Sequence, residues 1–205
     1  NLLIRCYYET GRYETAMELS KMIMDANPSL PCFANNYFIA FVLNSNGKSI
    51  PPKTKAEQKD NPFIEYNLSV ITEKASSHNL KKSPTLKSKL LFMDFQFNNM
   101  KENTITILET NNKVQTSSTF NNPIIKFGRE EYNQNDIKVS GSTAVSRRHC
   151  VIINTKDNVW LYDLDSTGTE INDELVVNKV PLIGHNTIKI KDIYFALTTD
   201  KTKLI

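Results

Sequence analysis

The stretch Ser146-Arg147-Arg148-His149 stands directly before an apolar, largely β-branched run, Cys150-Val151-Ile152-Ile153. Such a run is typical of a buried strand. Two more polar stretches follow strand-like runs, namely Gly128-Arg129 upstream and residues 163–169 downstream. Guanidinium groups, hydroxyls and backbone amides from three such loops are the donors that suit a phosphate dianion. The sequence therefore predicts that these loops form a phosphate-binding site.

The C-terminal half has the pattern of an all-β domain. Short β-branched or alternating runs with turn residues between them are typical of a sandwich. We predict strands near residues 104–108, 124–127, 136–139, 149–153, 159–164, 171–172, 175–177, 187–190 and 193–197. Nine or more short strands with turn signals between them, within about 100 residues, predict a β-sandwich.

The N-terminal half has helical periodicity instead. Apolar residues recur at three- and four-residue spacing after Tyr13, Gly11 interrupts a first helix, and Pro28 ends a second. Gly11, Tyr13, Ala16 and Pro28 resemble the second half of a tetratricopeptide repeat over about 28 residues; a generic helical hairpin is the alternative. Further helices are predicted near residues 32–43, 63–71 and 86–97, the last with Ser83-Pro84 as its start signal.

These patterns predict two parts. Residues 1–100 are expected to be a helical, tetratricopeptide-like segment, the end of a longer repeat region, because helical repeats need neighbours to cover their faces. Residues 102–205 are expected to be a separate β-sandwich.

Composition limits the partners. The net charge is +3, but residues 101–205 hold 13 basic and 13 acidic residues, so the β part has no broad basic face for nucleic acid. No apolar run is long enough to span a membrane. Three widely spaced cysteines form neither a disulfide framework nor a zinc site. We therefore expect an intracellular, cytoplasmic protein with no metal, no cofactor and no membrane or nucleic-acid partner.

The three loops also carry a family pattern. Gly128-Arg129, Ser146-Arg147-Arg148-His149, Ser166-Thr167-Gly168-Thr169 and the following Asn172 resemble, in order and spacing, the motifs of the forkhead-associated (FHA) domain family. The resemblance covers residues 102–200. It implies a sandwich of about eleven strands whose loops at one end bind phosphothreonine peptides.

The resemblance also implies a role for each residue. Phosphopeptide binding falls to Arg129, Ser146, Arg147, Ser166 and Thr167. Structural support of the site falls to Gly128, His149, Gly168, Thr169 and Asn172. Arg129 can offer a rigid fork of donors, whereas Arg148 is expected to face solvent. Thr167 stands where the family usually has an asparagine that holds the peptide backbone, and a hydroxyl makes fewer such bonds than a carboxamide.

The predicted function is recognition of a threonine-phosphorylated protein by a non-catalytic signalling or assembly adaptor on a helical-repeat scaffold. Other protein subunits are expected to bind through the helical part. The alternative is a structural interaction component whose phosphate site is degenerate or unused, with Glu130-Glu131 near the pocket repelling phosphate. An enzyme is not predicted, because His78 and His185 lie in no catalytic cluster, and Asp163 with Asp165 is typical of a turn.

Overall fold

The structure is a computed structural model that describes residues 1–52, 61–76, 85–94, 104–111, 114–132, 134–140, 143–155 and 158–200. The chain divides into two compact units, Asn1–Asn98 and Asn99–Ile205. The first contains helices and the second contains strands, which confirms the predicted order of fold classes.

Five helices are described in the first unit. They are α1 (Leu2–Glu9), α2 (Tyr13–Ala26), α3 (Pro31–Asn44), α4 (Pro62–Ser76) and α5 (Thr85–Lys89). Gly11 has a φ of 76°, which allows the tight turn between α1 and α2. Pro31 occupies the start of α3, where its missing N–H has no intrahelical partner to lose. Almost the whole circumference of α3 is buried, so this helix forms the centre of the unit.

The prediction of one helix over residues 86–97 is wrong in its middle part. The helix α5 ends at Lys89, and residues 90–94 are neither helix nor strand. Buried asparagine side chains hydrogen-bond the backbone of Leu91 and Met93. The polar backbone groups of these two residues are therefore paired although the segment is not helical. Ser83, Pro84 and residues 95–97 of that prediction lie outside the described residues.

Eleven strands are described in the second unit, which confirms the predicted sandwich. They are β1 (Ile105–Asn111), β2 (Val114–Phe120), β3 (Ile124–Arg129), β4 (Ile137–Val139), β5 (Cys150–Asn154), β6 (Val159–Asp163), β7 (Thr169–Ile171), β8 (Glu174–Leu175), β9 (Lys179–Pro181), β10 (His185–Ile190) and β11 (Ile193–Thr199). One sheet has the order β2-β1-β11-β10-β7-β8, and the other has the order β4-β3-β5-β6-β9.

The core lies between the two sheets. Phe127 of β3 and Phe195 of β11 meet edge to face, with ring centroids 5.5 Å apart, and both are fully buried. Buried and exposed residues alternate along β11, whereas all five residues of β5 are buried. The run 150–153, which stands next to the Ser146–His149 motif in sequence, therefore anchors that motif to the core.

No helix in the described residues has the length and apolar character that a membrane span requires.

Candidate functional site

Strand register brings the three motif loops to the same end of one sheet. Phe127 of β3 faces Cys150 of β5, and Cys150 faces Asp163 of β6. Because neighbouring strands here are antiparallel, the last residues of β3, the first of β5 and the last of β6 lie at that end of the sheet. The Gly-Arg motif, the Ser-Arg-Arg-His motif and the loop after Asp163 leave the sheet there. The structure thus brings together the three stretches that the sequence singled out.

Gly128 allows two of these loops to touch. A Cβ atom at this position would lie 2.0 Å from the carbonyl oxygen of Arg147 and 2.6 Å from Nδ2 of Asn135. The next residue, Arg129, donates its backbone N–H to the carbonyl of Ser146 at 3.0 Å. Glycine is therefore required by the close approach of two backbones, not by an unusual φ.

The side chain of Arg129 is oriented by one hydrogen bond. Its Nε donates to the carbonyl of Val145 at 2.9 Å, and the side chain is half-buried. Within the described part of the chain, the two Nη groups have no hydrogen-bond partner, and neither Glu130 nor Glu131 forms an ion pair with them. The guanidinium is thus held in place with its outer donors still available to a ligand.

A buried asparagine fixes the backbone around this arginine. Nδ2 of Asn135 donates to the carbonyl of Arg129 at 3.2 Å and to the carbonyl of Arg147 at 2.8 Å. It therefore joins the first and second motif loops from beneath. Asn135 is not predictable from the sequence, because a single asparagine in the polar stretch between β3 and β4 carries no distinguishing pattern.

His149 connects the second loop to the third. Its Nδ1 accepts the backbone N–H of Ser146 at 3.3 Å, which places the ring proton on Nε2. Nε2 lies 3.1 Å from the carbonyl of Gly168 and 3.1 Å from Oγ of Ser166, and it can donate to both. The side chain is completely buried. His149 thus bridges the second and third loops behind the site.

Asp163 organises the third loop. Its Oδ1 accepts the hydroxyls of Ser166 at 2.5 Å and Thr169 at 2.7 Å, and its Oδ2 accepts the backbone N–H of Ser166 at 3.0 Å. This agrees with the interpretation of Asp163 as a turn-forming residue. Burial first, and the charge of Asp163 second, raise the pKa of the neighbouring Cys150 thiol, which therefore stays protonated.

The hydroxyl of Ser166 is fully used inside the loop. Its single proton goes to Asp163, and its oxygen accepts the N–H of Gly168 at 3.1 Å as well as facing Nε2 of His149. Gly168 has a φ of 114°, which folds the loop back so that its N–H and carbonyl both serve this network. Ser166 thus lies within the support of the loop.

Thr167 joins the second and third loops at the surface. It is exposed, and its hydroxyl donates to the carbonyl of Ala144 at 2.8 Å. Its own carbonyl accepts Nζ of Lys191, from the turn between β10 and β11, at 3.4 Å. Thr167 therefore lies at the rim, between a neighbouring loop and a lysine.

Asn172 lies one turn further along, away from this rim. Its Oδ1 accepts the N–H of Thr187 at 2.8 Å, and its Nδ2 donates to Oδ1 of Asn186 at 3.2 Å. With a φ of 52°, it forms the turn between β7 and β8. These bonds attach that turn to β10.

Residues 125–191 match the family model of the FHA domain. This part of the chain is an FHA domain. Each motif residue from Gly128 to Asn172 falls inside the matched region, on the loops described above. No curated protein sequence gives a significant match.

Solved FHA domains are similar to the chain over about its second half. One from Chlamydia trachomatis is 17% identical and covers 46% of this chain and 96% of its own, with a TM-score of 0.42. The N-terminal FHA domain of Rad53p from S. cerevisiae, in complex with a phosphothreonine peptide, is 15% identical and covers 47% and 94%, with a TM-score of 0.42. An FHA domain from Mycobacterium tuberculosis is 16% identical and covers 48% and 97%, with a TM-score of 0.40.

The two arginines of the Ser-Arg-Arg-His motif differ in their surroundings. Arg147 is exposed, whereas Arg148 is only 6% exposed. The expectation that Arg148 faces solvent is therefore wrong. It donates to the hydroxyl of Tyr132 and to Oε1 of Gln134, each at 2.8 Å, and stacks 5.2 Å from the Tyr132 ring centroid. Because these partners lie in the loop after β3, Arg148 stabilises the FHA framework.

The exposed rim of the FHA site carries positive charge. Arg129, Arg147 and Lys191 are cations of its loops, while the carboxylate of Asp163 is occupied by hydroxyl and amide donors of its own loop. Among the described residues, no three His, Cys, Asp or Glu side chains come together as metal ligands. The arrangement therefore suits an anion held by guanidinium, hydroxyl and amide donors.

Proposed function

We propose that the FHA domain binds phosphothreonine peptides at the end of the sheet where the three motif loops meet. The observation that carries this proposal is the geometry of Arg129, whose Nε is fixed on Val145 while its Nη groups have no partner in the described residues. A fixed guanidinium loses little freedom on binding, and its outer donors match the oxygens of a phosphate group.

Ser146 and Arg147 are the proposed companions of Arg129. The backbone of Ser146 is held on both sides, by Arg129 and His149, while its hydroxyl makes no hydrogen bond in the part of the chain that the structure describes. Arg147 is exposed beside it. A phosphate group with a charge of about −1.5 to −2 at pH 7 would meet two cations and a hydroxyl here.

The other two predicted ligand residues take different proposed roles. Thr167 lies at the exposed rim, so we assign it to contact with the peptide around the phosphothreonine. Ser166 donates its proton to Asp163, so we assign it to positioning of the loop, together with Gly128, His149, Gly168, Thr169 and Asn172. Direct contact between Ser166 and phosphate would require that proton to change partner.

We further infer that the protein is a non-catalytic, cytoplasmic adaptor. The FHA part, residues 102–205, would read a phosphorylated partner, and the helical part, residues 1–100, would be a tetratricopeptide-like scaffold that binds other subunits. Separate compact units support this division of labour, because each has its own core.

One observation favours a second function, that of a structural component with an unused phosphate site. The hydroxyl of Thr167 is already bonded to Ala144, where the family's usual asparagine would offer a carboxamide to a peptide. A weaker hold on the peptide backbone would leave protein–protein docking as the remaining role.

Calorimetry with matched phosphothreonine and unphosphorylated peptides from an oriented library separates the two functions. We expect binding of the phosphorylated form alone, and its loss by at least about tenfold in Arg129→Ala, since a charge-assisted bidentate contact contributes 1.4 kcal/mol or more. Arg12→Ala, which removes an exposed arginine from the helical unit, is the matched control. Equal binding of both peptides would favour the structural role.

A further inference from the structure

The helical unit holds a piece of its own chain in the manner of a bound peptide. Residues 90–94 follow α5 and lie against α3 and α4. They form neither a helix nor a ladder with another strand. The backbone groups of Leu91 and Met93 nevertheless find partners, and those partners are side chains.

Two asparagines each pair with both backbone groups of one residue. Oδ1 of Asn67 accepts the N–H of Leu91 at 2.8 Å, and Nδ2 of Asn67 donates to the carbonyl of Leu91 at 3.1 Å. Met93, two residues further along the segment, is held in the same way by Asn36. Oδ1 of Asn36 accepts the N–H of Met93, and Nδ2 of Asn36 donates to its carbonyl, both at 2.9 Å. This is the pairing that a neighbouring β-strand would provide, supplied here by carboxamides on helices.

The carboxamides are themselves linked. Nδ2 of Asn67 donates to Oδ1 of Asn35 at 2.9 Å, and Nδ2 of Asn35 donates to the carbonyl of Leu91 at 2.9 Å. All three of these asparagines are completely buried. While residues 90–94 are in place, these carboxamides are shielded from water, and their hydrogen bonds to Leu91 and Met93 compensate for that burial. The surface they form is therefore complementary to an extended backbone.

The side chains of the segment give this surface a sequence preference. Leu91 and Met93 are 3% and 0% exposed. Phe92 is half-buried, with its ring 5.0 Å from that of Tyr8, and Asp94 forms an ion pair with Arg5. The preferred pattern is thus an aliphatic residue, an aromatic residue, a second long apolar residue and an acid.

We propose that the face lined by Asn35, Asn36 and Asn67 is a binding groove for extended peptides, and that residues 90–94 occupy it in cis. The partner that it fits is a protein segment with the aliphatic–aromatic–apolar–acidic pattern in an extended conformation. Such a partner competes with the chain's own segment, so the segment acts as a built-in competitor.

Fluorescence anisotropy tests the groove with a labelled peptide of the sequence Lys-Leu-Leu-Phe-Met-Asp, which copies residues 89–94. The full chain is used, with Phe92→Ala and Asp94→Lys combined to weaken the cis segment at its less buried positions. We expect this variant to bind the peptide at least about tenfold more tightly than the unmodified chain, because the internal competitor is weaker. Met22→Ala combined with Asp25→Lys, at exposed positions of α2, is the control and should match the unmodified chain.

N-methylated peptides identify the contact. Methylation of the amides of Leu91 and Met93 removes the two N–H groups that the asparagines accept, and should abolish binding. Methylation at Phe92 alone should preserve most of it. Loss of binding with the peptide methylated at Phe92, but not with the peptide methylated at Leu91 and Met93, would overturn the proposed register.

Amide hydrogen exchange on the unmodified chain provides a test that does not depend on a variant. If the segment can leave the groove, the amides of Leu91 and Met93 exchange faster than the amides within α3. Exchange of both sets only on global unfolding of the helical unit, or no peptide binding to the folded variant, would show that the segment is a fixed part of the core and would overturn the proposal.

Discussion

Nδ1 of His149 accepts the backbone N–H of Ser146 at 3.3 Å, so a completely buried ring sets the position of a proposed phosphate-binding residue. The other side of the same ring faces the carbonyl of Gly168 and the hydroxyl of Ser166. One buried side chain therefore contacts two loops that leave different strands.

His149→Ala should lower both stability and binding. The substitution removes the hydrogen-bond partner of the Ser146 N–H and of the Gly168 carbonyl, and it creates a cavity. We therefore expect a loss of about 2–4 kcal/mol in the free energy of unfolding. Urea denaturation measures this, and calorimetry with a phosphothreonine peptide measures the loss of affinity. His185→Ala, at an exposed histidine bonded to Thr198, should change stability by no more than about 0.5 kcal/mol. Equal effects of the two substitutions would contradict the role of His149.

Gly128→Ala should destabilise the domain through a steric clash. The added Cβ would lie 2.0 Å from the carbonyl oxygen of Arg147, which is held by Nδ2 of Asn135, so we expect a loss of about 2–4 kcal/mol or failure to fold. Gly184→Ala is the matched control, because Gly184 has open space around its Cβ position but a φ of 62°. We expect only about 1 kcal/mol there. A larger effect at Gly184 would show that backbone conformation matters more than close approach.

Asp163→Asn should loosen the third loop while preserving its shape. The substitution replaces one carboxylate oxygen, which accepts hydrogen bonds from the loop, by an NH2 group, which cannot accept them. We expect a loss of about 1–3 kcal/mol in the free energy of unfolding, measured by thermal or urea denaturation. Asp165→Asn is a close control, since Asp165 is exposed and has a φ of 53°, which asparagine also adopts. A loss at Asp165 as large as that at Asp163 would argue against the hydrogen-bond network as the cause.

Thr167→Asn should raise affinity for phosphothreonine peptides. A carboxamide offers two donors and an acceptor to a peptide backbone where threonine has one hydroxyl, and we expect affinity to rise by about three- to tenfold, or roughly one hydrogen bond. Thr167→Val removes the hydroxyl at nearly constant size and should not raise it. Calorimetry with one peptide compares all three proteins. Unchanged affinity in Thr167→Asn would show that the peptide does not pass over this position.

Alkaline pH should destabilise the chain through its buried thiols. Burial raises the pKa of Cys32 to about 11, and it raises the pKa of Cys150 further, from a reference value of 9.0. Above that reference value the unfolded thiol loses its proton while the folded one keeps it, so stability falls as pH rises, by up to about 1.4 kcal/mol per pH unit for each thiol. Urea unfolding from pH 8 to pH 10.5 measures the slope. Cys150→Ala should lower that slope relative to the unmodified chain.

Periodicity predicted much of this fold because the relevant signals are local. The runs that became β3, β5, β6, β10 and β11 are β-branched and bounded by turn residues, and Gly11 and Pro28 mark helix limits. The strand β2 (Val114–Phe120) was missed because its Gln-Thr-Ser-Ser-Thr centre is polar; it forms by pairing with β1, which no local pattern encodes. The segment 90–94 was assigned to a helix because its apolar residues fit helical spacing, while the asparagines that hold it extended come from distant helices.

The candidate site was predictable in its motifs and not in its internal bonding. Gly128, Ser146 and His149 were found from their spacing on an all-β background. Asn135 was missed and Arg148 was assigned to solvent, because each depends on contacts with a different loop. Asp163 was recognised only as a turn former, since its acceptance of the Ser166 and Thr169 hydroxyls depends on how the loop folds back.

The hydrogen bond from Thr167 to Ala144 suggests how the binding specificity of this scaffold could be redesigned. Ala144, Thr167 and Lys191 touch solvent or lie at the rim, whereas Gly128, His149 and Asp163 belong to the supporting network. A combinatorial library that varies only the rim positions would therefore sample new peptide preferences without disturbing the foundation that orients Arg129. Specificity and foldability would then be separable traits of this domain, open to independent selection.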